Sequence, residues 1–191
     1  MFWLSKQRLP RKAGMAASLG TAVHASVEDL LQEDYSQVGN SEDGWLPTEG
    51  LRLLKNRWEE EKAVFHGTPR RPQWKDEKWK EAIKHQKGAI RMLLDHVGIN
   101  GLDHEKITGA LWRKIQSMAI AVEGELKTEN GKLMGRLDLL MADVDSSGKM
   151  VGWLVADLKT GKAPKDELKT EVNRQLRLYR DIIRDNNPNG P

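Results

Sequence analysis

The stretch AIAVEGELKTENGKLMGRLDLLMADVDSSGKMVGWLVADLKT, residues 119–160, predicts a three-stranded antiparallel sheet. Its apolar or alternating segments are separated by TENG and DSSG, which are typical of β-hairpin turns. If Asn130-Gly131 is a two-residue turn, the two residue numbers of every directly opposed pair in the first hairpin add up to 261. With Ser147-Gly148 as the second two-residue turn, the corresponding sum is 295. The turns therefore predict the register of all three strands.

This register places three carboxylates side by side. Glu123 is expected opposite Asp138, and Asp138 opposite Asp157. Directly opposed residues share a sheet face on strands about 4.8 Å apart, and like charges placed in this way destabilise a sheet. A bound cation removes that repulsion, and carboxylate oxygens are the ligands that hard divalent ions prefer. The pattern therefore predicts a divalent-metal site at Asp138 and Asp157.

Lys159 adds an ammonium group to the same predicted face, because it lies two residues after Asp157. Beside a metal, this group could orient a water for attack or neutralise charge that develops on phosphorus. The residues alone leave two alternatives open. A bulge or a one-residue slip would turn these side chains to the other face, and Glu125 could take the place of Glu123.

Helical periodicity dominates the remainder of the chain. Four helices are expected before the sheet and one after it, at about 15–34, 47–65, 75–97, 108–118 and 165–185. The first helix places His24 and Glu28 one turn apart. We therefore expect a mainly helical part over residues 1–118 and a sheet with a C-terminal helix over residues 119–186.

Composition limits the chemistry that is open to the protein. The chain has 191 residues, enough for one ordinary core, and it has no cysteine. The absence of cysteine excludes disulfides, thiolate nucleophiles and cysteine-held iron-sulfur clusters. No apolar run approaches the roughly 18 residues of a membrane span, and MFWL is followed at once by basic and polar residues. We therefore expect a cytoplasmic protein that has no membrane partner.

The net charge of +3 is unevenly distributed along the chain. Residues 1–14 carry +4 and residues 67–91 carry +5, so that the rest carries −6. A basic surface beside an acidic remainder suggests a polyanionic partner, although lysine and arginine also serve simply to solvate helix faces. Trp74, within the basic segment, is a candidate for stacking on bases of single-stranded nucleic acid.

Five short motifs follow one another in the order found in a known family. They are Gly20-Thr-Ala-Val-His24, Glu123, Gly135-Arg-Leu-Asp138, Asp157-Leu-Lys159-Thr-Gly161 and Gln175-x-x-x-Tyr179. In this order and spacing the chain resembles the RecB-type exonuclease branch of the PD-(D/E)XK nuclease superfamily, over about residues 18 to 180.

The resemblance implies an α/β (α+β) fold. Its restriction-endonuclease-like core has a central mixed sheet that contains the three-stranded antiparallel meander and is flanked by helices, with an added N-terminal helical part. By the same resemblance, residues 1–191 are a single nuclease domain, in which residues 1–118 carry His24 and residues 119–186 form the catalytic sheet and last helix.

The resemblance also implies a role for each motif residue. The expected ligands of Mg²⁺ or Mn²⁺ are His24, Asp138, Asp157 and the backbone carbonyl of Leu158. Lys159 would position the water that attacks, and Glu123 would help to organise the metals or that water. Gln175 and Tyr179 would approach the DNA backbone or brace the site.

The implied function is metal-dependent hydrolysis of DNA phosphodiester bonds. The expected enzyme is an exonuclease that acts on single strands or duplex ends in DNA repair, recombination or phage DNA metabolism. No helicase motif is visible, so that coupling to unwinding requires a helicase or recombination partner. Two alternatives remain, a non-catalytic DNA-binding or assembly module that keeps the fold and a restriction-type endonuclease.

Overall fold

A computed structural model describes residues 14–67, 73–99, 101–128, 130–132, 134–158 and 166–187. Its α-helices are α1 (Met15–Gln32), α2 (Trp45–Gly67), α3 (Trp79–His96), α4 (Gly109–Met118) and α5 (Asp166–Asn186). Its strands are β1 (Ala119–Lys127), β2 (Met134–Val144) and β3 (Met150–Ala156). This order of four helices, a meander and a last helix is the predicted one. Among the helices described, none is both long and apolar enough to cross a bilayer.

The three strands pair in the predicted register. Val122 pairs with Leu139 and Gly124 with Leu137, so that the position between them sets Glu123 against Asp138. In the second hairpin Leu139 pairs with Ala156. Both pairings have the sums that the turns predict, so this part of the sequence interpretation is confirmed.

Neither turn has the predicted two-residue form. In the first turn the N–H of Gly131 donates to the carbonyl of Thr128 at 2.8 Å, whereas a turn centred on Asn130-Gly131 would join Glu129 and Lys132.

The second turn differs in another way. The N–H of Gly148 donates to the carbonyl of Asp145 at 2.9 Å, and the N–H of Asp145 donates to the carbonyl of Lys149 at 2.9 Å. The loop therefore has three residues, ending on Gly148 in the left-handed region with φ +82°. The predicted two-residue turn is wrong, and a register shift just after Asp143 restores the expected pairing along the rest of the hairpin.

The sheet lies between the first four helices and α5. On one face Leu139, Met141 and Ala156 belong to a large apolar cluster shared with α1 to α4. On the other face a smaller cluster joins the sheet to α5; it contains Leu137, Leu140, Tyr179 and Ile183. This is an α+β architecture consistent with a restriction-endonuclease-like fold, and all strand pairing among the described residues is antiparallel.

The helical part fixes the position of α1, the helix that carries His24. Trp112 of α4 donates its indole N–H to the carbonyl of Leu30 at 2.9 Å, and Gln116 donates to that of Glu33 at 2.9 Å. These bonds satisfy carbonyls at the end of α1 that have no partner within the helix. From α2, Arg57 holds Asp29 with two hydrogen bonds of 2.7 and 2.6 Å.

Trp74 is not available to stack on nucleic-acid bases. Its side chain is buried, and its ring packs edge-on against Trp58 at 4.8 Å and Phe65 at 5.1 Å. Its indole N–H donates to Asp76 at 3.1 Å. The suggestion that Trp74 stacks on nucleic-acid bases is therefore wrong, because its side chain is part of the core between α1, α2 and α3.

Candidate metal centre

Three side chains from three separate elements converge beside the sheet: His24 from α1, Glu123 from β1 and Asp138 from β2. The Nδ1 atom of His24 lies 3.6 Å from Oδ2 of Asp138 and 3.9 Å from Oε1 of Glu123. One ligand atom from each residue falls within a set whose members are all within 4.8 Å of one another. The three side chains are half-buried, with 24% of His24 and 16% of each acid exposed.

These three residues fit a divalent cation. Two atoms bound to one ion at about 2.1 Å cannot be more than about 4.2 Å apart, and both distances from His24 meet that limit. They are also too long for direct hydrogen bonds, so Nδ1 of His24 bonds directly to neither acid. Two carboxylates suit Mg²⁺ or Mn²⁺, and an imidazole adds a donor that transition metals accept readily.

Glu123 reaches the centre because the β-strand is irregular at that residue. Its φ is +50°, the one positive value at a non-glycine residue in the part of the chain described. In a regular strand neighbouring side chains alternate, yet Val122 and Glu123 both line the same small cavity, as do Asp138 and Leu139. A left-handed non-glycine residue costs about 1–3 kcal/mol, and such strain is concentrated at functional sites.

Asp138 is held in place by the backbone just beyond β3. The N–H of Leu158 donates to its Oδ2 at 2.6 Å. Burial raises the pKa of Asp138; this hydrogen bond and His24 oppose the rise, whereas the charges of Asp157 and Glu123 add to it. Burial and, to a smaller extent, the neighbouring acids therefore make the charge of Asp138 unfavourable without a cation, which is the condition that a bound cation relieves.

The structure brings some of the predicted residues together and leaves others aside. Asp157 follows the last residue of β3 and is half-buried; it raises the pKa of Asp138 but is not in the group of three. Leu158 lines the cavity, and its N–H donates to Asp138. Metal ligation by its carbonyl stays a prediction. Lys159 lies outside the described residues. Glu125, the alternative to Glu123, is exposed and lies opposite Arg136 in the β1–β2 register.

Gln175 and Tyr179 brace the strand that carries Asp138. Tyr179 is buried, with 3% exposed, and its hydroxyl donates to the backbone carbonyl of Arg136 on β2. Gln175 in turn donates its amide N–H to the Tyr179 hydroxyl at 2.6 Å. A Cβ on Gly135 would lie 2.7 Å from the tyrosine ring, so only glycine fits there. Of the two roles considered for this pair, these contacts favour bracing.

Sequence reasoning missed two residues of the centre. Glu28 lines the cavity, and its pKa is raised, first by burial and then by the charge of Glu123. Its position one turn after His24 was the available signal. Arg136 places Nε 2.8 Å from Oε2 of Glu123. It lies opposite Glu125, so Glu123 is its diagonal neighbour across the strand pair. The predicted register therefore contained the signal for this contact.

We expect a divalent metal to stabilise the protein more at neutral pH than in acid. A proton on Asp138 competes with the metal, and because its pKa is raised above 3.8 that proton persists to higher pH in the folded protein than in the unfolded chain. The gain in Tm on adding Mg²⁺ should grow as the pH rises through the raised pKa and then level off. Thermal unfolding with and without Mg²⁺, from acid to neutral pH, measures this.

Without metal, the same group has the opposite effect. A raised carboxyl pKa adds stability at low pH, and this contribution is lost as the pH rises through the folded-state value. Subtracting the Tm of an Asp138→Asn variant from that of the wild type isolates the contribution of this residue from those of other acids. A metal-induced gain that is equally large at every pH would contradict the assignment.

A family model described as the PD-(D/E)XK nuclease superfamily matches residues 2–191. Neither a curated protein nor a solved structure gives a significant match to the chain. The family match covers nearly the whole sequence, including each of the residues that converge at the centre.

Proposed function

The chain belongs to the PD-(D/E)XK nuclease superfamily, whose members cleave nucleic acids with divalent metals, and from this premise we propose that it is a DNA exonuclease. The substrate would be single strands or duplex ends, as in the RecB-type branch. The observation that supports the proposal best is the convergence of His24, Glu123 and Asp138 from three elements into one half-buried group. Bringing two acids together in a half-buried position is unfavourable, although Arg136 and the N–H of Leu158 each hold one of them, and a cation relieves the repulsion that is left.

In the proposed mechanism, the residues of this chain hold and orient the reactants. His24, Glu123 and Asp138 would bind Mg²⁺ or Mn²⁺, and Asp157 would complete the negative site from the end of β3. When bound, the ion supplies Lewis-acid polarisation of a phosphoryl oxygen and a water of lowered pKa. Lys159 would orient the attacking water. As that water gives up a proton to solvent and bonds to phosphorus, the phosphorus–oxygen bond to the leaving sugar would break and the sugar oxygen would take up a proton from solvent.

The bracing contacts explain how the centre keeps its geometry. The side chain of Arg136 holds one oxygen of Glu123, while its carbonyl is held by Tyr179. The other Glu123 oxygen, Oε1, is the one nearer His24. Residues that orient metal ligands commonly change metal affinity or activity by about 10–100-fold when they are replaced. We therefore count Arg136, Gln175 and Tyr179 as positioning residues.

Other parts of the proposal concern cellular context. Residues 1–191 would act as one nuclease domain in the cytoplasm, in repair, recombination or phage DNA metabolism. A helicase or a recombination protein would supply any unwinding. The resemblance to the RecB-type branch supports these assignments.

One substrate series tests the proposed activity. End-labelled linear DNA and closed circular DNA, each single- and double-stranded, are incubated with Mg²⁺, Mn²⁺ or no metal. We expect metal-dependent loss of linear DNA from its ends, with closed circles resistant, and near-complete loss of activity in Asp157→Asn and Lys159→Ala. Equal cleavage by the wild type and both variants would contradict the proposed mechanism.

The same series separates the alternatives. Discrete fragments from circular duplex would indicate a restriction-type endonuclease. Salt-sensitive DNA binding without turnover in any divalent metal would indicate a non-catalytic module.

A further inference from the structure

We propose that the outer face of α3 is a docking track for the phosphate backbone of DNA, separate from the metal centre. The track consists of Lys80, Lys84 and Lys87, called here the lysine row. Identifying its ligand as substrate DNA depends on the proposed function, whereas its affinity for a polyanion does not.

The lysine row follows one edge of the helix. Its members are four and three residues apart, which places them above one another on the same face, and all three are exposed. The opposite face of α3 is buried; it contains Ala82, Gln86, Ala89, Ile90, Leu93 and Leu94. The row is therefore fixed on a rigid, well-packed helix.

The positive charges of the row are not neutralised by the described residues. None of the three lysines forms an ion pair there, and two acids of α3 already have other cationic partners. Glu81 contacts Lys78 and His85, and Asp95 contacts Arg91. Like charges at this spacing destabilise a helix, so the arrangement makes little sense as a device for folding.

The positive charge at one end of the row also acts on His104, where Asp103 opposes it. The pKa of His104 is lowered, mainly by burial and also by the charges of Arg91 and Lys87. The field of Lys87 therefore extends to a neighbouring group. A polyanion that reaches this surface meets attraction from every member of the row.

The row lies near the metal centre but on the far side of α3 from it. Leu93, on the inner face of α3, lines the cavity that also contains His24 and Asp138. Six residues separate Lys87 from Leu93, about 9 Å along the helix axis, and the helix is about 10 Å across. Because α3 lies between the row and the centre, the row can hold DNA without touching the bond that is cleaved. The row should accordingly act on substrate affinity and KM, and not on kcat.

The test is the salt dependence of DNA binding, measured by fluorescence anisotropy of a labelled oligonucleotide without divalent metal, so that no cleavage occurs. The row variant is Lys80→Gln/Lys84→Gln/Lys87→Gln. Each phosphate contact contributes roughly 0.7 to the slope of log K against log salt for single strands and 0.9 for duplex. We expect the slope to fall in magnitude by about 2 to 3, and the affinity at low salt to fall at least about tenfold.

A matched control removes the same charge elsewhere. Lys55 of α2, Lys114 of α4 and Lys149 of the loop before β3 are exposed and form no ion pair with described residues. The variant Lys55→Gln/Lys114→Gln/Lys149→Gln should keep the wild-type slope. Circular dichroism verifies that both triple variants fold.

The outcomes separate this proposal from the proposed hydrolysis. If the row variant cleaves DNA normally and its salt-dependence slope and KM are unchanged, the lysine row is not a docking track. The nuclease proposal would be unaffected by that result. No cleavage in any metal, with a reduced slope confined to the row variant, would support the row and overturn the hydrolysis. Equal losses of slope in both triple variants, or no DNA binding by the wild type, would overturn the row.

Discussion

Asp138→Asn should abolish metal-dependent cleavage while leaving the metal-free protein at least as stable as the wild type. Asparagine has nearly the same shape and can still accept the N–H of Leu158, but it lacks the charge that a cation needs. Replacing residues that only orient metal ligands costs about 10–100-fold, so the loss of a ligand should exceed about 100-fold in kcat/KM. Burial raises the pKa of Asp138, which means that its charge is unfavourable in the metal-free fold.

The matched control is Asp143→Asn on the same strand, because Asp143 is exposed. This variant should retain wild-type activity. Activity is measured on labelled DNA at saturating Mg²⁺ and stability by thermal unfolding in a chelator. A stable Asp138→Asn enzyme with wild-type turnover would show that the carboxylate has no catalytic part. A large fall in Tm would show instead that the residue is needed for folding.

Gly135→Ala should be the most disruptive one-methyl change near the centre. The added Cβ would lie 2.7 Å from Cε1 and 3.3 Å from Cδ1 of Tyr179. That ring cannot move away easily, because it is buried and its hydroxyl is tied to Arg136 and Gln175. Overpacking of this kind costs about 1–3 kcal/mol. A shifted β2 would also misplace Asp138, so we expect kcat to fall together with Tm.

Gly88 provides a control of opposite sign. It lies within α3, and a Cβ there would meet nothing within 4 Å. Gly88→Ala should therefore raise the free energy of unfolding by about 0.5–1 kcal/mol, because alanine is the better helix former. Chemical denaturation of both variants measures the contrast. If Gly135→Ala is as stable as Gly88→Ala and fully active, the bracing role of Tyr179 is wrong.

The strand register could be predicted because it depends on local features. Two glycine-containing turns and alternating apolar residues were enough to set Glu123 against Asp138. The three-residue loop that ends on Gly148 did not spoil the second register, since the shift after Asp143 compensated for it. An error in the length of a turn can therefore be cancelled by a bulge in the adjoining strand.

The local irregularity at Glu123 could not be predicted from periodicity. Counting by twos assumes regular strands, and the left-handed φ of Glu123 breaks that assumption at the residue on which the site depends. The predicted direction of the Asp157 side chain was uncertain for a related reason. Asp157 lies just past the end of β3, where the alternation of side chains along a strand no longer applies.

The contribution of His24 is a matter of tertiary packing. Helical spacing predicted the helix, but the approach of His24 to Asp138 depends on how α1 packs on the sheet. That packing is set by contacts far apart in sequence, such as Trp112 with Leu30. Only the family resemblance indicated His24 in advance. Arg136 lies within the motif Gly135-Arg-Leu-Asp138, but it was given no role.

The most direct test of the account is to locate the cation itself. Crystals grown with Mn²⁺ and measured at the manganese absorption edge reveal its position by anomalous scattering, independently of any activity. The account predicts one strong peak bonded at about 2.1 Å to His24, Glu123 and Asp138. Active protein whose manganese peak lies elsewhere, or whose three side chains hydrogen-bond to one another around no ion, would contradict it.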